Sequence, residues 1–231
     1  MIILFLLHFA ISLASAQNFI SEQKKYSRVK APFAKPHKSL ISKLSELNIK
    51  ESKMEVFIRV LKQEEILEIY VRNKGEVTFK LFEKVDVCAS SGTVGYKLKQ
   101  GDRQTPEGHY RINLFNHQSN FHLSLKINYP NHEDKQRSKG LNAGGDIFIH
   151  GECVTIGCVP LGNEGIELLY MMCVITKNNG QQNIPVHIYP CYMNTDAYSK
   201  LKSTYKGNKN YINFWNQLEG SYFQFEKNKT L

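Results

Sequence analysis

Hydrophobic and polar positions alternate in short runs through the middle of the chain, and such runs predict β-strands. Eight runs rich in β-branched and aromatic residues fall at residues 56–60, 66–71, 78–82, 85–88, 109–113, 121–125, 146–150 and 185–189. Alternation of this kind is typical of strands with one buried face. Gly75, which follows Asn73 and Lys74, predicts a hairpin turn between the second and third runs. The pattern therefore predicts a mainly β domain.

Apolar side chains spaced three to four residues apart predict helices after and around these strands. The most extended such segment covers residues 163–177, where Asn163 is placed to cap the helix and Gly180 lies beyond its end. Short helices are also predicted in the flanks, around Leu40, Leu44 and Leu47 and around Tyr211, Phe214, Trp215 and Leu218. The polar residues 128–145 are too many for a simple connection, which favours a segment that flanks a site.

The first 16 residues are an uncharged apolar run that ends in Ala14-Ser15-Ala16. This pattern predicts a secretory signal that is cleaved after Ala16. The run is shorter than the roughly 20 residues that a membrane-spanning helix needs, which disfavours an anchor. We therefore expect an exported protein, periplasmic or associated with the cell wall, whose cysteines meet an oxidising compartment.

The chain has 231 residues and a formal net charge of +9, but this charge is not evenly distributed. Eight basic and two acidic residues lie in 17–50, and six basic and two acidic residues lie in 197–231. The middle, 51–196, has 16 basic and 17 acidic residues and is close to neutral. Because no nucleic-acid-binding motif accompanies the charge, a nucleic-acid partner is disfavoured. The predicted organisation is a signal peptide at 1–16, a basic arm with a short helix at 17–50, one domain at 51–192 and a basic helical extension at 193–231.

Chemistry is most strongly indicated by His150, which ends an apolar strand, and Cys158, which follows a Gly. A cysteine nucleophile needs a base or a cation nearby to become a thiolate. Gly157 allows a tight turn, so that the amides of Gly157 and Cys158 are candidates to bind an oxyanion.

Three other roles for the cysteines remain open at this level. The five residues Cys88, Cys153, Cys158, Cys173 and Cys191 allow two disulfides with one thiol left over. A zinc site of His150, Cys153 and Cys158 is a weaker alternative, since it lacks paired CxxC spacing. Core packing is the favoured role of Cys173, which lies among Met171, Met172 and Val174.

Several ordered motifs resemble a known family. Ile149-His-Gly followed by Thr155-Ile-Gly-Cys158 resembles the signature of YkuD-type L,D-transpeptidases, in which His-Gly precedes Ser/Thr-His-Gly-Cys. Four further segments are similar to the YafK-like branch of murein L,D-transpeptidases: Ser90-Ser-Gly, Gln100-Gly-Asp-Arg-Gln-Thr-Pro-Glu-Gly-His-Tyr110, Phe121-His-Leu-Ser-Leu and Asn128-Tyr-Pro-Asn131. The resemblance runs from residue 56 to residue 189. It implies a β-sandwich or barrel-like catalytic domain with peripheral helices.

The resemblance also implies roles for single residues. Cys158 matches the nucleophile and His150 the general base, and the backbone around Gly151, Thr155 and Gly157 matches the rest of the signature. The implied enzyme uses neither a cofactor nor a metal. It attacks the L,D peptide bond of peptidoglycan stem peptides and forms a thioester on Cys158.

Two residues depart from the family pattern: Ile156 replaces a His, and Pro160 stands where many members carry Arg or Asn. His150 and Cys158 are also only eight residues apart, without the long segment that separates them in the larger family, which leaves the substrate-side loop and the acyl acceptor open. The thioester of an L,D-transpeptidase passes to an amine, for example on a stem peptide or a wall-attached lipoprotein. A hydrolytic relative, an L,D-carboxypeptidase or an amidase, passes it to water. A wall-binding module without catalysis, held to anionic polymer by its basic flanks, is the alternative from another functional class.

Three polar residues are candidates for contact with substrate. Arg103 offers a cation for a stem-peptide carboxylate, although a solvated loop is the simpler account. Alternation places His122 on the face opposite Phe121, either on the surface or lining the site. Tyr129 borders the long polar segment and is expected to line the groove.

Overall fold

The computed structural model describes residues 19–34 and 36–231, so the predicted signal peptide lies outside the described residues. The strands are β1 (Met54–Leu61), β2 (Ile66–Asn73), β3 (Lys80–Asp86), β4 (Gly108–Asn116), β5 (Ser124–Ile127), β6 (Phe148–His150), β7 (Val159–Pro160) and β8 (Pro185–Tyr189). The helices are α1 (Phe19–Gln23), α2 (Ser27–Lys30), α3 (Pro36–Glu46), α4 (His132–Ser138), α5 (Gly162–Asn178), α6 (Asp196–Thr204) and α7 (Lys209–Asn228), with a 3₁₀ turn at Glu51–Lys53. In these ranges no helix is both long and apolar enough to cross a membrane.

All eight strands form one sheet in the order β3-β2-β1-β8-β4-β5-β6-β7. Most neighbours are antiparallel, while β1 pairs with β8 and β6 pairs with β7 in parallel. The sheet curls into a half-barrel, and the chain that follows β3 approaches its opposite edge. There the Cys88 N–H donates to the Pro160 carbonyl of β7 over 3.0 Å. The predicted mainly β class with peripheral helices is confirmed.

Both faces of the central strands are covered, which explains their almost continuous burial. Along β1, Val56, Ile58 and Val60 belong to a core that includes the apolar side of α5. Phe57 and Leu61 point to the other face, where the C-terminal helices α6 and α7 pack. Two-sided burial gives runs of apolar residues instead of strict alternation, as β1 shows.

Some predicted boundaries were wrong for identifiable reasons. Residues 85–88 are not a separate strand, because Val85 continues β3 in its pairing with Leu67 of β2. Residues 121–123 form a turn before β5, and His122 has a left-handed φ of 66°. The alternation argument for His122 therefore fails, since that residue does not lie in a strand.

Helix α5 confirms the helix predicted at residues 163–177, but its N-cap residue differs from the prediction. Leu161 is the N-cap residue and makes no side-chain capping bond. The predicted cap, Asn163, instead accepts a hydrogen bond through Oδ1 from the Glu152 amide over 3.1 Å. This bond ties the helix to the loop after β6, a tertiary role that local helix rules do not anticipate.

The basic flanks fold onto the domain. In the N-terminal arm, the Ile20 amide donates to Asn178 Oδ1 over 3.2 Å, and Gln23 accepts from the Tyr170 hydroxyl over 2.7 Å, so α1 lies against α5. In the C-terminal extension, Trp215 of α7 is fully buried. The arm and the extension are thus part of the folded unit.

The described residues contain a single disulfide, Cys88–Cys153, rather than the two that five cysteines allow. It joins the chain after β3 to the loop after β6. Cys158, Cys173 and Cys191 are free, and the burial of Cys173 confirms its predicted packing role. Because Cys153 is consumed by the disulfide, the zinc alternative fails, and the described residues contain no other cluster suited to a metal.

Candidate active site

His150 is held in one orientation and one tautomer at the end of β6. Its Nδ1 lies 2.6 Å from the Gly151 carbonyl oxygen, which can only accept, so Nδ1 carries the proton and Nε2 is left with its lone pair. The residue is 2% exposed, and Phe121 packs on its ring with centroids 4.7 Å apart. Burial lowers the pKa of His150 below its usual value, more than the Gly151 bond and Glu152 raise it. The imidazole is therefore a neutral base at pH 7.

Cys158 lies immediately before β7 and is half-buried. Its Sγ accepts weakly from the Phe148 amide over 3.5 Å and donates to the Asp146 carbonyl over 3.7 Å. Burial raises the pKa of the Cys158 thiol, while the Phe148 amide and the ammonium group of Lys97 act in the opposite direction. The resting group is a neutral thiol.

Strand pairing places the two groups on one face of the sheet. His150 is opposite Pro160 in the parallel ladder, so Cys158, two residues earlier, is opposite Phe148. The separation along the strands is ~6.6 Å at 3.3 Å per residue. Among the described residues the Cys158 thiol bonds to backbone rather than to the imidazole. A catalytic hydrogen bond such as the one between a thiol and an imidazole often tightens only when substrate is bound.

Two backbone N–H groups, those of Gly157 and Cys158, are the candidate donors for a developing oxyanion. The Gly157 amide donates to Thr155 Oγ1 over 3.1 Å, and the Thr155 hydroxyl donates to the Cys158 carbonyl over 2.9 Å. The Gly157 N–H is therefore already bonded within its own turn, which Thr155 shapes, and its expected part in binding the oxyanion stays a prediction. No hydrogen bond within residues 19–34 and 36–231 uses the Cys158 N–H.

The direction of that N–H follows from the strand. The Leu161 amide donates to His150 O of β6, whereas the Pro160 carbonyl points the other way, to Cys88. Backbone groups of successive strand residues face opposite edges, so the Cys158 N–H faces away from β6, on the Cys88 side.

Glycine is required at two positions of this loop by close packing. A Cβ on Gly151 would lie 2.8 Å from the Phe121 carbonyl and 2.7 Å from Asn163 Oδ1. A Cβ on Gly157, whose φ is +136°, would lie 3.1 Å from the Gln104 carbonyl. These contacts fit the loop against its neighbours and fix the position of Cys158 relative to β6.

A cavity of about 590 Å³ opens at the free edge of β7, and Cys158 contributes to its lining. The loop at residues 89–94 and the end of β1 form one side. Helix α6 of the C-terminal extension also lines the cavity, through Ala197, Lys200, Leu201 and Thr204. A thiol beside a groove of this size can react with a peptide-sized substrate.

A family model described as the L,D-transpeptidase catalytic domain (YkuD) matches residues 55–188. The chain is also 35% identical over 176 residues to YafK of Escherichia coli strain K12, whose name gives L,D-transpeptidase as a provisional activity. That match covers 75% of this chain and 68% of the relative. The chain belongs to the L,D-transpeptidase family.

Solved structures of lower similarity include the helical cell shape determining protein Pgp2 from Campylobacter jejuni, at 24% identity and a TM-score of 0.46. That alignment covers 63% of this chain and 53% of Pgp2, so this chain spans about half of its length. Mycobacterium tuberculosis L,D-transpeptidase 1 aligns at 12% identity and a TM-score of 0.32, over 59% of this chain and 62% of that chain.

In this L,D-transpeptidase domain, the three predicted substrate contacts lie away from the cavity lining. Tyr129 is 3% exposed and donates to the Ala143 carbonyl over 3.0 Å, so it supports the long segment from the core instead of facing a groove. His122 pairs with Glu167 of α5 over 2.7 Å. Arg103 is exposed on a loop.

Two lysines near the site were not found by sequence reasoning. Lys97 is buried, and its ammonium group bonds to Asp102 and to the Lys99 carbonyl close enough to influence Cys158. Lys200 reaches the cavity from α6. The spacing of residues 197, 200, 201 and 204 predicts that they share one face of a helix, but it does not predict which part of the protein that face contacts.

Proposed function

We propose that this protein is an exported cysteine L,D-transpeptidase that cleaves the L,D peptide bond of peptidoglycan stem peptides through a thioester on Cys158. The observation that carries the proposal is the fixed neutral tautomer of His150 on the same sheet face as the Cys158 thiol. The family supplies the reaction class. The disulfide Cys88–Cys153 supports export, since such bonds persist in oxidising compartments.

The first half-reaction follows from the protonation states of the pair. Cys158 Sγ attacks the carbonyl carbon at the L,D bond while its proton passes to His150 Nε2. The Cys158 N–H donates to the oxyanion that forms. The C–N bond then breaks, and His150 returns the proton to the departing amine, which leaves a thioester and a neutral imidazole.

The second half-reaction uses the same groups. An amine, on another stem peptide or a wall-attached protein, attacks the thioester and gives its proton to His150. The C–S bond breaks and the proton returns to Sγ. Water in place of the amine gives the hydrolytic outcome, an L,D-carboxypeptidase or amidase.

The pH profile of kcat/KM should have a broad plateau. The reaction needs neutral His150, and burial lowers the pKa of His150, so the acid limb should fall below the usual pKa of about 6.5. The alkaline limb reports the Cys158 thiol, whose raised pKa places that limb above about 8.5. Initial rates from pH 5 to 10 measure both. An acid limb above pH 7 would contradict this assignment of the base.

A substitution of Lys97 tests the electrostatic environment of the Cys158 thiol. Lys97→Met should raise the pKa of the Cys158 thiol further, because it removes a cation that favours the thiolate. Lys99→Met, on an exposed neighbour, should leave the pKa of that thiol unchanged. The pH dependence of iodoacetamide labelling at Cys158 measures the pKa of that thiol in each variant, without substrate.

The proposed function is tested by product analysis of muropeptides. Purified protein and Cys158→Ala are incubated with disaccharide tetrapeptides, with and without an amine acceptor. Loss of the terminal residue by the wild type alone supports the proposal, and cross-linked or acceptor-linked products identify transfer rather than hydrolysis. Equal products from both proteins would exclude it. Salt-sensitive sacculus binding without any product would indicate the wall-binding module instead.

A further inference from the structure

The C-terminal extension lies outside the residues that match the family model, yet it forms one side of the cavity beside Cys158. We propose that Lys200 of α6 binds a carboxylate of the stem peptide, which makes the extension a specificity element. The inference rests on the proposed function, since it names how the substrate of that site is recognised.

One face of α6 lines the cavity. Ala197, Lys200, Leu201 and Thr204 all contribute, and their spacing of three, four and seven residues from Ala197 is that of a single helix face. Tyr205 continues this side beyond the end of the helix. Lys200 thus lines the cavity from a helix whose neighbouring face residues line it too.

The position of α6 is fixed by contacts that also reach the catalytic domain. The Tyr198 hydroxyl and Lys202 both bond to Glu219 of α7, over 2.7 and 2.8 Å. Trp215 of α7 donates in turn to Glu107 over 2.9 Å. Glu107 belongs to the Thr-Pro-Glu-Gly segment next to the site, so Lys200 is carried by a rigid element.

The charges around the cavity single out Lys200. The other lining lysine, Lys62, already donates to Glu107 and to the carbonyls of Thr93, Gly95 and Thr105. The lining carboxylate of Glu65 accepts from Ser90. Lys200 forms no salt bridge with any described residue and is exposed, so its three donors are available to a ligand.

Stem peptides offer the matching group. The substrate of the proposed reaction carries a carboxylate on its terminal D-residue, and a diaminopimelate at the third position carries a second one on its side chain. Both present the same chemistry to an ammonium group on a residue that lines the same cavity as Cys158. Substrates that lack one or the other distinguish the two sources.

The test compares Lys200→Gln and Lys200→Glu with Lys206→Gln, an exposed lysine of the same extension that does not line the cavity. Each protein is assayed with a free tetrapeptide stem, its C-terminal amide and a form with an amidated diaminopimelate side chain. We expect Lys200→Gln to raise KM for the free stem by about tenfold with kcat within twofold, and Lys200→Glu to raise it further. On the amidated substrate that lacks the recognised carboxylate, wild type and Lys200→Gln should become equal.

Equal KM values for Lys200→Gln and Lys206→Gln on every substrate would overturn the inference while leaving the proposed function intact. If wild type turns over no stem peptide, the proposed function fails separately. Equilibrium binding of the same three peptides to Cys158→Ala, with and without Lys200→Gln, then still tests Lys200. Weaker binding only of peptides that carry the recognised carboxylate supports its role, and unchanged binding contradicts it.

Discussion

Replacing His150 with asparagine is expected to lower kcat/KM for tetrapeptide stems by roughly 10²- to 10⁴-fold, the usual contribution of a general base. The asparagine amide can still donate to the Gly151 carbonyl, as Nδ1 does over 2.6 Å, so the local structure is retained. What it lacks is the Nε2 lone pair that accepts the Cys158 proton in the proposed mechanism. The loss should appear in kcat as well as in kcat/KM, because the proton transfer belongs to the transition state.

Initial rates with a defined tetrapeptide measure this effect, and His132→Asn is the matched control because His132 is an exposed residue of α4. The control should match wild type. Thermal unfolding should show both variants folded. A His150→Asn enzyme that retains more than a tenth of wild-type activity would exclude His150 as the base.

Replacing Glu107 with alanine is expected to cost about 3–5 kcal/mol of unfolding free energy, as is usual when one member of a buried ion pair is removed. Glu107 is completely buried and accepts from Lys62 over 3.0 Å, from Trp215 over 2.9 Å and from the Gly95 amide over 2.5 Å. Its loss leaves the Lys62 ammonium group without its counter-ion, and it leaves the Trp215 indole N–H and the Gly95 amide without their acceptor.

Urea unfolding measures the change, with Glu133→Ala as the control. Glu133 is exposed and its contact with Arg137 is long, at 3.9 Å, so its loss should change stability by less than about 0.5 kcal/mol. The double variant Glu107→Ala/Lys62→Met should recover at least about 1 kcal/mol relative to Glu107→Ala, since it removes the uncompensated charge. Strictly additive losses would show that the two residues do not act as a pair.

The strands of this fold were largely readable because burial dictates their composition. The runs at 56–60 and 185–189 fall within β1 and β8, which pair in the centre of the sheet. What failed depended on tertiary contacts. Asn163 serves the loop after β6 rather than its own helix, and β7 is only two residues long, too short for any periodic signal.

For the candidate site, the sequence predicts the pair of residues but not their surroundings. The His150 and Cys158 pair is visible because both residues lie within a short signature. Three further features arise from segments that meet only in the folded chain: the Cys158 N–H, which no hydrogen bond of the described residues uses, the buried ammonium group of Lys97 and the approach of Lys200. The spacing of residues along the sequence does not predict these tertiary contacts.

The central claim is that Cys158 carries the acyl group, and mass spectrometry of acid-quenched protein tests it most directly. Wild type mixed with a tetrapeptide stem should gain the mass of the acyl tripeptide, on the peptide that contains Cys158 and in a form removed by hydroxylamine. Cys158→Ala should gain none. Turnover without such an adduct, or an adduct on Cys173 or Cys191, would contradict the account.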